Sequence, residues 1–135
     1  MILSELMNNK EIEYTKNVVE AASIKEIEKD IGVSFEKELT EYILKYGYLA
    51  YKHVELYGIN SVQMLDSDMV KQTKYLHEYF PKTAGLIAIE NTGDGNYVLV
   101  SSDDEIYNYS SVEDSLQKLE LKLFDYIVNR FQEID

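Results

Sequence analysis

The chain of 135 residues carries 25 acidic and 13 basic side chains, has a formal net charge of −12, and contains no cysteine. The charge disfavours nucleic acid phosphates and anionic membrane surfaces as partners, because both require positive potential. The lack of cysteine excludes disulfides, thiolate nucleophiles and sulfur-based zinc sites, and it suits a reducing cytoplasm. One proline, Pro81, and no low-complexity linker predict a single domain.

The N-terminal segment, residues 1–22, has only weak periodicity and predicts a short helix or a packed arm ahead of a core spanning residues 23–131. It lacks the basic start and apolar centre of a signal peptide. No apolar run reaches the roughly 18 residues that a membrane span requires. We therefore expect a soluble cytoplasmic protein. The apolar residues of the segment are Ile2, Leu3, Leu6 and Met7.

Residues 23–47 predict two short antiparallel helices. Ser23 and Glu26 form a capping box at the start of the first helix, and Gly32 ends it. The second helix lies in "SFEKELTEYILKYG", which has acidic residues in its first turn and Gly47 at its C-terminal cap. The predicted apolar faces consist of Ile24, Ile27 and Ile31 in the first helix and Phe35, Leu39, Tyr42, Ile43 and Tyr46 in the second.

The next two elements are a strand and a third helix. "YKHVELYGI", residues 51–59, alternates around Val54 and Leu56 and predicts a strand. "SDMVKQTKYLHEYFP" predicts a helix that Ser67 caps and Pro81 ends. The apolar stripe of this helix contains Met69, Val70, Thr73, Leu76 and Phe80.

Three apolar runs, "LIAIE", "NYVLVS" and "EIYNYS", predict an antiparallel meander. Ser111 and Asp114 then mark the start of a long C-terminal helix. Helices before and after a central antiparallel sheet give an α+β domain in which helices flank the sheet. The predicted apolar face of the last helix contains Leu116, Leu119, Leu123, Ile127 and Phe131.

The stretch "IAIENTGDGNYVLV" is the best candidate for a ligand-binding loop. A P-loop leads into a helix and carries a lysine, whereas Gly93 and Gly95 lead into a strand and no lysine follows. A calcium loop that starts at Glu90 would place Ser101 where the closing glutamate belongs. Glycine and aspartate accept the positive φ angles of tight turns, so we predict a β-hairpin turn.

No arrangement of residues indicates catalysis or metal binding. His53 and His77 lie in different predicted elements without an HxxxH or HExxH spacing, and no GxSxG elbow is present. Neighbouring carboxylates such as Asp103 and Asp104 point apart and do not form an acid–base pair. We predict no enzyme activity, no metal and no cofactor, while a site assembled from residues distant in sequence stays open.

Twelve tyrosines and an acidic hairpin tip indicate a protein-binding surface. Tyrosine is frequent at interface hot spots, and a cluster of carboxylates attracts a basic partner. The alternative is that the tyrosines lie at the core boundary and the acidic turns are merely solvated. The third predicted helix, with Lys71, Lys74 and the nearby Lys82, is the least acidic region. The candidate partner-binding residues are Tyr48, Tyr51, Glu55, Tyr57, Asp94, Asp103, Asp104 and Glu105.

The order of these elements, from Ser23 to Phe131, resembles the SUKH superfamily, which contains the yeast cell-wall assembly regulator and bacterial immunity proteins of polymorphic toxin systems. "IKEIEKDIGVSFEKELTEYILKYGY" is similar to the helix pair of the family, with Glu28 and Gly32 in place. "VELYGI", "GNYVLV" and "EIYNYS" are similar to its strands. The chain departs from the family at Glu36, where a proline is usual, and at Gly47–Tyr48, where a glycine pair is usual.

The resemblance implies a binding module without catalytic residues, in which the sheet and the surrounding loops form a cleft that grips a protein. Immunity members neutralise toxin domains, often nucleases, by covering the active site. Nucleases present positive surface to nucleic acid, so an acidic inhibitor would complement them. We therefore expect an immunity protein for a nuclease toxin. A non-enzymatic cellular adaptor or regulator is the alternative.

Overall fold

The computed structural model describes residues 2–9, 11–14, 20–59 and 68–134. This part of the chain contains five α-helices and two antiparallel sheets, so the predicted α+β class is confirmed. None of its helices is long and apolar enough to cross a membrane. The helices are α1 (Leu3–Asn9), α2 (Ile24–Ile31), α3 (Lys37–Lys45), α4 (Met69–Tyr79) and α5 (Leu123–Glu133).

The strands form two sheets rather than one central sheet. The smaller sheet has the order β1-β2-β3, and the larger has the order β4-β5-β6-β7, in which the predicted meander of three strands is confirmed. The backbone N–H of Tyr57, just after β3, donates to the carbonyl of Ile89 in β4 at 2.7 Å. The strands are β1 (Glu13–Tyr14), β2 (Leu49–Tyr51), β3 (Val54–Leu56), β4 (Ile87–Gly93), β5 (Asn96–Val100), β6 (Glu105–Ser110) and β7 (Ser115–Lys122).

The predicted single strand at residues 51–59 is wrong, because the chain reverses within it. Lys52 has a φ of 55° and forms the turn between β2 and β3 together with His53. Tyr51 therefore pairs with Val54 across a hairpin. The alternation of Val54 and Leu56 belongs to β3 alone. The turn was missed because apolar residues before and after a tight turn can have the same spacing as in one continuous strand.

The prediction of one long C-terminal helix is also wrong for the first half of that segment. Residues 115–122 form β7, which pairs antiparallel with β6, and the helix begins only at Leu123. Leucines at 116, 119 and 123 match a helical period, but Leu119 and Leu121 also alternate with charged residues as in a strand. Pairing with β6 satisfies the backbone groups on one side of this segment, and that pairing decides between the two periods.

The ends of the helices follow the sequence signals in part. Gly32 ends α2 with a φ of 84°, and Gly47 ends the turn after α3 with a φ of 75°, as predicted. Ser23 precedes α2, but its side chain makes no capping bond because a 3-10 turn, Ala21–Ser23, already holds its backbone in the helical region. Asp68 caps α4, and the predicted cap Ser67 lies outside the described residues.

Two helices receive their N-terminal caps from distant parts of the chain. The carboxylate of Asp104, in the turn between β5 and β6, accepts the backbone N–H groups of Glu38 at 2.9 Å and Leu39 at 3.1 Å, at the start of α3. The carboxylate of Glu38 in turn accepts the N–H of Phe124 at 2.8 Å, at the start of α5. These bonds tie α3, the β5–β6 turn and α5 to one another.

One hydrophobic cluster is shared by both sheets and all five helices. Leu6 of α1 is fully buried in it, so part of the predicted N-terminal arm belongs to the core. Gly58 lies so close to the neighbouring backbone that a Cβ atom there would be 2.1 Å from the carbonyl oxygen of Gly47. Other fully buried members of the cluster are Leu39, Tyr42, Ile43, Leu49, Leu56, Leu76, Ile87, Ile127 and Phe131.

Candidate functional site

A cleft of about 590 Å³ lies between α5 and one face of the larger sheet. The register places Glu90, Val98, Asn108 and Gln117 in one row across the four strands. Residues directly opposite one another in antiparallel strands share a face, with Cβ atoms about 4.5–5.5 Å apart. This row therefore runs from the buried strand β4 to the exposed edge strand β7, and its outer members line the cleft.

A second row of polar side chains lies beside the first. Asn96, Ser110 and Ser115 face one another across β5, β6 and β7 and also line the cleft. Amide side chains both donate and accept hydrogen bonds, and hydroxyl groups do the same. Asparagine is disfavoured in strands, so the stability of the sheet does not explain Asn108 at the centre of β6.

A buried network connects α5 to the sheet at the floor of the cleft. Glu90 is 2% exposed, and its carboxylate accepts the hydroxyl of Tyr126 at 2.5 Å. It also accepts the Nε and Nη2 groups of Arg130 at 3.1 and 2.9 Å. Burial, with the nearby charge of Glu90, raises the pKa of Tyr126, and the hydrogen bond to Glu90 raises the pKa of Arg130. At neutral pH the tyrosine keeps its proton and the arginine its charge.

The ionisable side chains that line the cleft are mainly acidic. Glu113 and Glu133 line it and are exposed, whereas the charge of Arg130 is balanced by the buried carboxylate of Glu90. The cleft is left with an excess of acidic groups. Such a site attracts a cationic group and repels phosphate.

The glycine turn lies at one end of the cleft and has a structural role. Asp94 and Gly95 have φ angles of 55° and 80° and connect β4 to β5 as a two-residue turn. Positive φ at both central positions is the requirement of a tight hairpin turn, so the predicted turn is confirmed. Asp94 is exposed and lies between Thr92 and Asn96, both of which line the cleft.

Three of the predicted partner-binding residues are buried. Tyr48 and Tyr57 are 5% and 4% exposed, and the backbone carbonyl of Tyr57 accepts the hydroxyl of Tyr42 at 2.7 Å. Asp104 is 4% exposed, and both of its carboxylate oxygens accept backbone N–H groups of α3. Burial leaves these side chains no surface for a partner, so the prediction that they contact one is wrong.

Two predicted residues remain accessible in the smaller sheet. Tyr51 is half-buried, and its ring packs edge-on against Phe131 with centroids 5.8 Å apart. Glu55 is exposed on β3, in the same row as Glu13 of β1. Burial, followed by the charges of Glu55 and Glu13, raises the pKa of Tyr48.

The remaining acidic residues lie at opposite ends of the larger sheet, because successive turns of a meander alternate between its two ends. Asp94 is in the β4–β5 turn, whereas Asp103 and Glu105 are at the β5–β6 turn. Glu105 also forms an ion pair with Lys118 at 2.6 Å. The structure therefore distributes the predicted surface over three places.

None of the eight predicted residues lines the polar cleft. Sequence reasoning missed Asn96, Asn108 and Gln117, which give the cleft its chemistry. One signal was available in "EIYNYS", where Asn108 occupies a position on the same face as the buried Ile106. The alternation of this strand predicts an apolar side chain at position 108, and a polar residue in such a place indicates a functional site.

The two histidines have ordinary environments. His53 is exposed in the β2–β3 turn, and Nε2 of His77 lies 2.7 Å from the carbonyl oxygen of Leu86. Within the part of the chain that the structure describes, no group of three His, Asp or Glu side chains could hold a metal ion.

The sequence of this chain matches one known protein family over almost its whole length. The model of the SUKH_5 family, SMI1-KNR4 cell-wall, matches residues 1–132. The match includes α1, which precedes the region where the sequence itself resembles the family. No curated protein matched the chain. The matched region covers almost the whole sequence, and the chain therefore belongs to the SMI1-KNR4 family of the SUKH superfamily.

Proposed function

We propose that this protein is an immunity protein that binds and inactivates a cognate toxin, a nuclease, in the cytoplasm. The observation that carries the proposal is the open, acidic and polar cleft on the sheet of a SUKH domain. A nuclease presents positive surface to its substrate, and this cleft has the opposite charge. In this proposal the protein has no catalytic role and acts by covering the toxin.

The accessible acidic residues outside the cleft contribute to the approach of the toxin. Glu55, Asp94 and Asp103 are exposed, and Glu105 and Tyr51 are partly exposed. The fields of separate charges add, so these residues attract a basic protein even though they do not form one patch. Steering of this kind raises association rates by roughly 10- to 1,000-fold over neutral partners.

The affinity itself would come from buried contacts. Inhibitors of this class reach sub-nanomolar dissociation constants, about −12 kcal/mol or beyond, when a few well-packed residues add to charge steering. Tyr51 is the accessible tyrosine among the predicted residues and is held in place by Phe131. A large ring that is already fixed loses little conformational entropy on binding.

The experiment is affinity capture of the tagged protein from its source cells at low and high salt, followed by nuclease assays of the captured partner. We expect one stoichiometric partner with a toxin-like domain whose activity the protein inhibits. Combining Glu55→Lys, Asp94→Asn and Asp103→Lys should lower the association rate about tenfold and weaken its salt dependence. The control Lys71→Glu, on the least acidic helix, should not lower the rate.

An unchanged rate in the triple variant would exclude the proposed acidic surface. Recovery of several housekeeping proteins, with no toxin, would favour the second candidate, a non-enzymatic cellular adaptor or regulator. The match to the SMI1-KNR4 cell-wall description favours that candidate over any enzyme. If no protein is captured, a screen for hydrolase and transferase activity would test whether the chain is an enzyme after all.

A further inference from the structure

We propose that the cleft between α5 and the larger sheet holds an extended segment of the partner protein, and that an arginine or lysine of this segment lies between Glu113 and Glu133. The inference deepens the proposed function, on which it rests, because it names the chemistry of the segment that the toxin inserts. It also places the centre of the interface away from the residues that the sequence predicted.

The face of the sheet that lines the cleft is only half covered. At the β4 side, Tyr126 and Arg130 of α5 reach Glu90 and close the face. Towards β6 and β7, Asn108 and Gln117 lie in the same row and are exposed. An uncovered polar row beside a packed helix leaves room for one further layer of chain.

The exposed groups match the needs of a polypeptide backbone. Each peptide unit of an extended segment presents one N–H and one C=O, and both require partners when they leave water. The amides of Asn96, Asn108 and Gln117 offer donors and acceptors to both. The half-buried Leu119 lines the same cleft and provides apolar contact for a side chain of the segment.

The charge of the cleft selects a basic side chain. Arg130 is neutralised by Glu90, which accepts its Nε and Nη2 groups, so it is not available as a free cation for an acidic partner. Glu113 and Glu133 are exposed. The charge of Glu133 contributes to the raised pKa of Arg130, but the ion pair of Arg130 is made with Glu90. A guanidinium or ammonium group between them gains charge-assisted hydrogen bonds, whereas a carboxylate or a phosphate is repelled.

The buried network joins α5 to β4 at the floor of the cleft. Glu90 is contacted from the helix by two side chains, and its burial makes loss of either contact costly. The separation of α5 from β4 is therefore set before the partner arrives. A preformed site needs little ordering when it binds.

The test uses a short peptide of glycine, serine and threonine around one central arginine, and a matched peptide with citrulline, which keeps the shape and removes the charge. The ¹⁵N-labelled protein is titrated with each peptide at physiological ionic strength. We expect the side-chain amide signals of Asn96, Asn108 and Gln117 to shift with the arginine peptide. Binding of the citrulline peptide should be about tenfold weaker.

Two double variants complete the experiment. Glu113→Gln with Glu133→Gln should remove the preference for arginine, whereas Asp103→Asn with Glu105→Gln, at the β5–β6 turn, should retain it. Equal binding of the two peptides, no detectable binding, or shifts confined to other surfaces would overturn the inference. If a toxin is captured and the Glu113/Glu133 variant binds it unchanged, the inference fails while the immunity function stands.

Discussion

Asp104 caps the N-terminus of α3, and this role predicts that its substitution destabilises the fold, whereas substitution of an exposed carboxylate does not. Asp104→Asn keeps the shape of the side chain, and asparagine tolerates the φ of 64° at this position. Only one of its two terminal atoms can accept a hydrogen bond, however. Of the N–H groups of Glu38 and Leu39, one then faces the NH₂ group of the new side chain and loses its partner.

The expected loss of stability follows from these contacts. A hydrogen bond to a charged group contributes about 1.5–3 kcal/mol, and an unsatisfied buried N–H costs about 1–3 kcal/mol. Removal of a negative charge from a helix N-terminus adds about 0.3–1 kcal/mol. Because these terms overlap, we expect Asp104→Asn to lower the free energy of unfolding by about 2–3 kcal/mol. This is a large part of the roughly 5–15 kcal/mol of a typical domain.

The measurement is urea unfolding followed by far-UV circular dichroism, since the chain has no tryptophan to report by fluorescence. The matched control is Asp103→Asn, one residue earlier, where the side chain is exposed. That variant should lie within about 0.5 kcal/mol of the parent protein. If both variants have the same stability, the cap at α3 does not contribute as the structure indicates, and Asp104 could be reconsidered as a contact residue.

Two further predictions concern the buried charges and the tyrosines. Arg130→Met leaves the carboxylate of Glu90 buried without its cation and should lower the free energy of unfolding in urea by about 3–5 kcal/mol. The control Lys74→Met removes an exposed pair with Asp30 and should lower it by about 0–1 kcal/mol. Similar losses in the two variants would contradict the role of burial. Burial, with its bond to Asp114, raises the pKa of Tyr109 to about 12, above the usual 10. Because the folded state holds this proton more tightly, its stabilising contribution is complete below pH 10 and is lost as the pH rises towards 12. Tyr109→Phe should therefore show a weaker fall in stability over that range, and an identical fall would contradict the assignment.

Local signals in the sequence predicted the larger part of the fold. Gly32 and Gly47 end their helices, and Asp94–Gly95 form the hairpin turn, because positive φ angles are a property of the residue type and its immediate neighbours. The three strands of the meander followed from runs of apolar residues between turn signals. These features need no information from the rest of the chain.

Where two periods fit the same residues, sequence alone could not choose. Residues 115–122 suit a helix by the spacing of their leucines and a strand by their alternation, and the edge of β6 decides in favour of the strand. Residues 51–59 read as one strand until the turn at Lys52 is known. In both cases the secondary structure is decided by hydrogen bonds between two backbone segments: β7 with β6 in the first case, and the two arms of the β2–β3 hairpin in the second.

The candidate site depended most on tertiary structure. The excess of acidic residues and the lack of a catalytic motif were visible in the sequence, and they indicated a protein that binds a basic partner. Which carboxylates are exposed was decided by packing: Asp104 caps a helix whose start is 66 residues away, whereas Glu113 and Glu133 both line one cleft. Composition determines the total charge, but burial and pairing across the sheet decide where that charge is available.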